Sequence, residues 1–147
     1  MLLLGVKNFA TQDVVAGGIV NLGQVYRRYC KKNTCGIRTF DFAGTSITLN
    51  HSGIYKVTAT ATFTAPVAGD VTISLFENGV AISGASATET ITTATTESRS
   101  IALDYFILVD NDSVLNSIST IAKSISLVNT GVASTITNVV VDVVKVV

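Results

Sequence analysis

His51 is the single histidine in this 147-residue chain, so any Ser-His-Asp hydrolytic arrangement would have to be built on it. It stands in Asn50-His51-Ser52-Gly53, a run of turn formers, where a polar loop side chain is the ordinary expectation. The acids Asp41, Asp70, Glu77, Glu89, Glu97, Asp104 and Asp142 are scattered, and no two share an element as an acid–base pair. Cys30 and Cys35, spaced CKKNTC, offer two sulfur ligands, and one histidine cannot complete the four that a structural zinc needs. They can close a local disulfide in an oxidising medium or stay free thiols in a cytoplasmic product. Asp110-Asn111-Asp112-Ser113 resembles part of a calcium loop but lacks the glycine and distant glutamate of an EF-hand, so a turn is the simpler reading. No glycine-rich phosphate loop opens a helix. The expectation is a protein that is not an enzyme, with no catalytic residue, no metal and no cofactor.

The one concentrated polar cluster is basic. Residues 24–35 hold Arg27, Arg28, Lys31 and Lys32 with Tyr26 and Tyr29 interleaved, and Arg38 follows. Such a segment could grip phosphate, but nucleic-acid binders carry a basic balance overall. Here ten Lys and Arg are offset by ten Asp and Glu. A solvated loop, or a contact with an acidic protein surface, fits that balance better than nucleic acid does. Zero net charge also leaves no field to attract an anionic membrane. No apolar run reaches the ~18 residues of a membrane span. Met1-Leu2-Leu3-Leu4, interrupted by Gly5 and Lys7, is too short for a signal core. Synthesis in a cytoplasm without export is the expectation.

The elements that position these residues are strands. In residues 55–65 the odd positions read Tyr, Val, Ala, Ala, Phe, Ala and the even ones Lys, Thr, Thr, Thr, Thr. Successive strand side chains point to opposite faces, so this is a half-buried strand. After a turn at residues 66–69, Val71, Ile73 and Leu75 line the next strand, which ends at Asn78-Gly79, the pair that suits a type I′ hairpin turn. That hairpin predicts Glu77 opposite Val80 and Leu75 opposite Ile82. Residues 84–98 read as a loop with an exposed strand near 88–93. Residues 100–109 read as a central strand, with Ile101, Leu103, Tyr105, Ile107 and Val109 on one face and Phe106 and Leu108 making its other face apolar. Residues 13–22 read as a β segment bent at Gly17-Gly18, and 37–42, 45–49 and 124–129 as further strands. Residues 112–122 are ambiguous between helix and strand. Residues 134–147 form a closing strand apolar on both faces. The prediction is an all-β antiparallel jelly-roll sandwich of about eight to ten strands. Residues 1–12 form an arm or edge strand, and 13–147 a single domain.

Charged residues make up 14% of the chain against a usual ~25%, and hydrophobic residues 48%. Mean hydropathy is +0.51. Excess apolar character without a membrane span points to burial between subunits.

The ordered features resemble a known family. Asn21-Leu22-Gly23 leads to the paired arginines, and Gly53-Ile54-Tyr55 opens the Thr/Ala strand. Ser74-Leu75-Phe76-Glu77-Asn78-Gly79-Val80-Ala81 is followed by Gly84-Ala85, and Ser126-Leu127-Val128-Asn129-Thr130-Gly131 precedes a Val-rich strand. From about Asp13 onward this resembles small bacteriophage virion proteins with a jelly roll like that of tumour necrosis factor or the complement globular head. Ser83, where a proline often precedes Gly-Ala, and the long segment 112–123 depart from that pattern. The resemblance implies a homotrimer located in the virion, serving as an auxiliary or decoration protein on the outer capsid surface or as a head fibre. Tyr105, Phe106, Val140 and Val144 are then candidate interface residues, with the second layer of the same sandwich as the other reading. Arg27, Arg28, Lys31 and Lys32 are candidates for docking on the major capsid protein. The alternative is a fibre-tip module that binds a host receptor or surface glycan through the hydroxyl-rich residues 83–100.

Overall fold

The computed structural model describes residues 2–29, 39–110 and 122–147. Cys30, Lys31, Lys32, Cys35, Arg38 and the ambiguous segment from 112 to 121 lie outside those residues. The described chain is strand and connection throughout, in eleven strands. They are β1 (Leu2–Asn8), β2 (Gln12–Val14), β3 (Gln24–Tyr29), β4 (Phe40–Phe42), β5 (Ile47–Leu49), β6 (Gly53–Thr64), β7 (Gly69–Glu77), β8 (Val80–Ile91), β9 (Arg99–Val109), β10 (Lys123–Asn129) and β11 (Ser134–Lys145).

Two antiparallel sheets pack face to face. One runs β3-β1-β11-β6-β9, with β2 also paired to β11, and the other β4-β5-β10-β7-β8. Alternation places the core. Along β6, Tyr55, Val57, Ala59, Ala61 and Phe63 are buried, and the Lys56 and Thr positions between them reach solvent. β11 turns Val139, Val141 and Val143 the same way. The facing sheet supplies Val71, Ile73 and Leu75 from β7 and Ile125 and Leu127 from β10. At one end the Phe40 ring meets Tyr55 edge-on, centroids 5.8 Å apart. The buried Asn129 amide donates to the carbonyls of Val14 and Val132, and its oxygen accepts from Gly131 N–H, tying three segments together.

Four sequence expectations change. Residues 2–8 are neither an arm nor an edge, because β1 is hydrogen-bonded to β11 on one side and β3 on the other. β9 is not central; among the described strands it ends its sheet, and on the sheet's outward face its Phe106 and Leu108 are 59% and 54% exposed. The Asn78-Gly79 turn has the two positive φ values expected, 51° and 80°, and Glu77 does face Val80. Past Phe76↔Ala81, however, the register shifts to Ser74↔Ser86. Gly84 at φ 83° sits in that irregularity, so Leu75 does not meet Ile82 in the ladder and the hairpin tip is exposed. Finally, the strand expected near 88–93 is present as far as Ile91, but residues 84–87 are no loop; they belong to the same β8, and the loop is confined to 92–98.

Candidate interaction surfaces

Among the described residues no cluster of His, Cys, Asp and Glu is suited to hold a metal ion. The imidazole of His51 meets the hydroxyl of Thr39 at 3.1 Å (Nδ1), and its backbone carbonyl accepts from Tyr55 Oη at 2.7 Å. Burial pushes the Tyr55 phenol up to about 12. His51 thus fastens a turn to the core end of β6.

The outward face of the β3-β1-β11-β6-β9 sheet is the surface on which most of the singled-out residues meet. Cross-strand register sorts it into rows. Leu108 lies opposite Ile54 at one end, beside Val146, whose N–H donates to the Ile54 carbonyl at 2.7 Å. The next row runs Phe106, Lys56, Val144, Leu3, Tyr29. Then come Asp104, Thr58, Asp142, Gly5 and Arg27, and after them Ala102, Thr60, Val140 and Lys7. The charges in the middle are compensated locally. Lys56 pairs with Asp104 at 3.3 Å and lies 6.0 Å from the Phe106 ring centroid. Tyr26 Oη donates to Asp142 Oδ1 at 2.5 Å. That bond to a carboxylate, with partial burial, holds the Tyr26 phenol above its ordinary value. The apolar end is left open to solvent, with Ile54, Phe106, Leu108 and Val146 between 38% and 59% exposed.

Three of the four candidate interface residues therefore share one face: Phe106, Val140 and Val144. Tyr105 does not. It pairs with buried Val57, points between the sheets and packs against the core, half-buried. Arg27 and Arg28 are both exposed on β3 but part company, Arg27 opposite Gly5 on the outward face and Arg28 opposite buried Leu4. Sequence reasoning missed Ile54 and Leu3. Ile54 carried a signal, since it is the one apolar side chain in the even-numbered Lys/Thr series of β6.

A second feature is an open groove of about 410 Å³ between the end of β1 and the start of β3, lined among others by Lys7, Phe9, Gln24 and Tyr26. The Lys7 ammonium lies 5.1 Å from the Phe9 centroid and 5.3 Å from that of Tyr26. Beyond the far end of β8, Glu97 organises its loop. Its carboxylate accepts from the N–H groups of Thr92 and Thr93 and from the Arg99 guanidinium, which together lower it to about 2.

No family model matches the sequence, and no curated protein does. Solved structures do. The globular domain of zebrafish complement 1qA protein superposes with a TM-score of 0.62 at 9% identity, covering 100% of this chain and 98% of that one. Murine APRIL at pH 5.0 gives 0.64 at 11% identity, over 99% and 98%. The PRD1 vertex protein P5 gives 0.52 at 14% identity, over 99% and 97%. At such identities the likeness is one of fold: an all-β jelly roll of the tumour necrosis factor and complement-head type. No helix among the described residues is long and apolar enough to cross a membrane.

Proposed function

We propose that this chain is a non-enzymatic structural protein of a bacteriophage virion, an auxiliary or decoration protein that trimerises and docks on the major capsid protein at the outer capsid surface. The observation that carries the reading is the open apolar end of the outward sheet face. Ile54, Phe106, Leu108 and Val146 form a contiguous patch on a chain poor in charge, the kind of surface that monomers rarely leave exposed. A vertex protein of phage PRD1 among the solved structures of this fold supports the virion setting. In the trimer, Phe106, Val140 and Val144 lie at or near the subunit contact while the basic segment from Arg27 meets the capsid. Quantitative mass spectrometry of purified particles tests this. Many copies per particle are expected, and a handful confined to the tail would refute it. Light scattering should give three times the 15.4 kDa of one protomer.

The groove at Lys7, Phe9 and Tyr26 favours a second reading, a fibre-tip module that binds a host receptor or glycan. Exposed rings beside an ammonium can stack on a sugar and pair with its acid group. Binding of the isolated protein to host cells or to an acidic-glycan array, lost on Phe9→Ala, is the outcome that would favour it.

A further inference from the structure

We infer that the edge of β3 opposite β1, unpaired among the described residues, is a docking edge for an extended acidic segment of a partner protein, which adds to the sheet as one more strand. The inference rests on the docking role proposed above for the basic segment, and adds the partner's chemistry and the mode of contact.

Among the described residues β3 pairs with β1 alone and ends its sheet, so on its other side alternate backbone N–H and C=O groups point away from those strands. Its six residues are all exposed, whereas the opposite terminal strand, β9, alternates buried and exposed positions. A strand covered on neither face adds little to the core, so packing does not dictate its sequence. That sequence is Gln-Val-Tyr-Arg-Arg-Tyr, β-forming and cationic with no carboxylate. The nearby acid Asp142 is already engaged by the Tyr26 hydroxyl, and Lys7 adds a third cation beside the Tyr26 ring.

Charge selects the occupant. Pairing of β3 with β3 of a second copy would bring arginines together, and like charges across a ladder repel. Cationic side chains on an edge strand are a known guard against self-pairing. An acidic strand meets the opposite situation, in which main-chain hydrogen bonds supply affinity and side chains supply selectivity. Arg27 and Arg28 stand on opposite faces of the strand. The matching segment therefore carries two consecutive carboxylates, one for each face, between β-forming residues.

The test uses the full chain and the capped peptide Thr-Val-Thr-Glu-Glu-Thr-Val-Thr, followed by fluorescence anisotropy at low salt. Saturable binding is expected, weakened at least tenfold when Lys-Lys replaces Glu-Glu. N-methylation of one alternate set of peptide amides should abolish binding, and N-methylation of the other set should leave it intact. The double variant R27E/R28E, checked for retained strand signal by circular dichroism, should transfer the preference to the Lys-Lys peptide. Absence of binding by the acidic peptide overturns the inference. So does equal binding by both N-methylated sets, which would mean charge attraction without strand addition, and so does tighter binding of a single-stranded oligonucleotide. The peptide result is independent of copy number in the virion, so failure here leaves the decoration reading to its own measurement, and the reverse.

Discussion

The Tyr26 hydroxyl donates to Asp142 across Gly5, a 2.5 Å bond between residues 116 positions apart. A Cβ on Gly5 would stand 2.6 Å from Asp142 Oδ1 and 2.7 Å from the Tyr26 ring, so the ring lies over the one residue in β1 without a side chain. This contact fixes the open strand β3 to the centre of the sheet.

Gly5→Ala should therefore dislodge Tyr26 and cost about 1–3 kcal/mol, the range for overfilling a packed site. Tyr26→Phe, which keeps the ring and loses the bond, should cost no more than about 1 kcal/mol at this partly exposed position. Thermal melts distinguish the two. Ultraviolet titration should show Tyr26, like Tyr55, ionising later than usual, and Asp142→Asn should move Tyr26 back towards the ordinary range.

Phe106 and Tyr105 are neighbours in β9 with opposite destinations, and their substitutions should separate accordingly. Phe106→Asp should leave the melting temperature of the protomer nearly unchanged and dissociate the proposed trimer, so that light scattering reports monomer at micromolar concentration. Tyr105→Ala should destabilise the fold by about 1–3 kcal/mol through lost core packing and leave self-association intact once folded.

Glu97 gives an acid-side prediction. Its folded value, about 2, lies below that of an unfolded glutamate, so its contribution is present above about pH 4.5 and fades as pH falls towards 2. Amide exchange at Thr92 and Thr93, whose N–H groups Glu97 holds, should stay slow at pH 4 relative to intrinsic rates. Glu97→Gln should speed that exchange at pH 7 without affecting the strands.

Tyr55 gives the alkaline counterpart. A phenol raised to about 12 favours the folded state while neutral, so stability holds below about pH 10 and declines from there to 12. Tyr55→Phe should cost about 1 kcal/mol at pH 7, through the lost bond to the His51 carbonyl, and flatten the decline above pH 10. Denaturant melts across pH 8–12 measure both.

Strand content was legible because period two is local. Tyr55 to Phe63 and Val139 to Val143 show in sequence the alternation that burial confirms, and Asn78-Gly79 carries the φ requirement of its own turn. The hairpin register beyond it was not legible, since the irregularity at Gly84 breaks the β7–β8 pairing that the turn alone would extend.

Position within a sheet is a property of long-range pairing, and here the sequence ran out. β1 and β11 lie at the two ends of the described chain, yet they pair over their length and make the middle of one sheet. β9, the run that hydrophobicity alone would put at the centre, stands at the margin. Composition determined that apolar surface would be left over. Only the tertiary structure decided where, because a residue's outward direction is set by its own strand, while its exposure depends on whether another strand or sheet happens to lie beside it. Thus Phe106 faces solvent and Tyr105, one bond along the chain, faces the core.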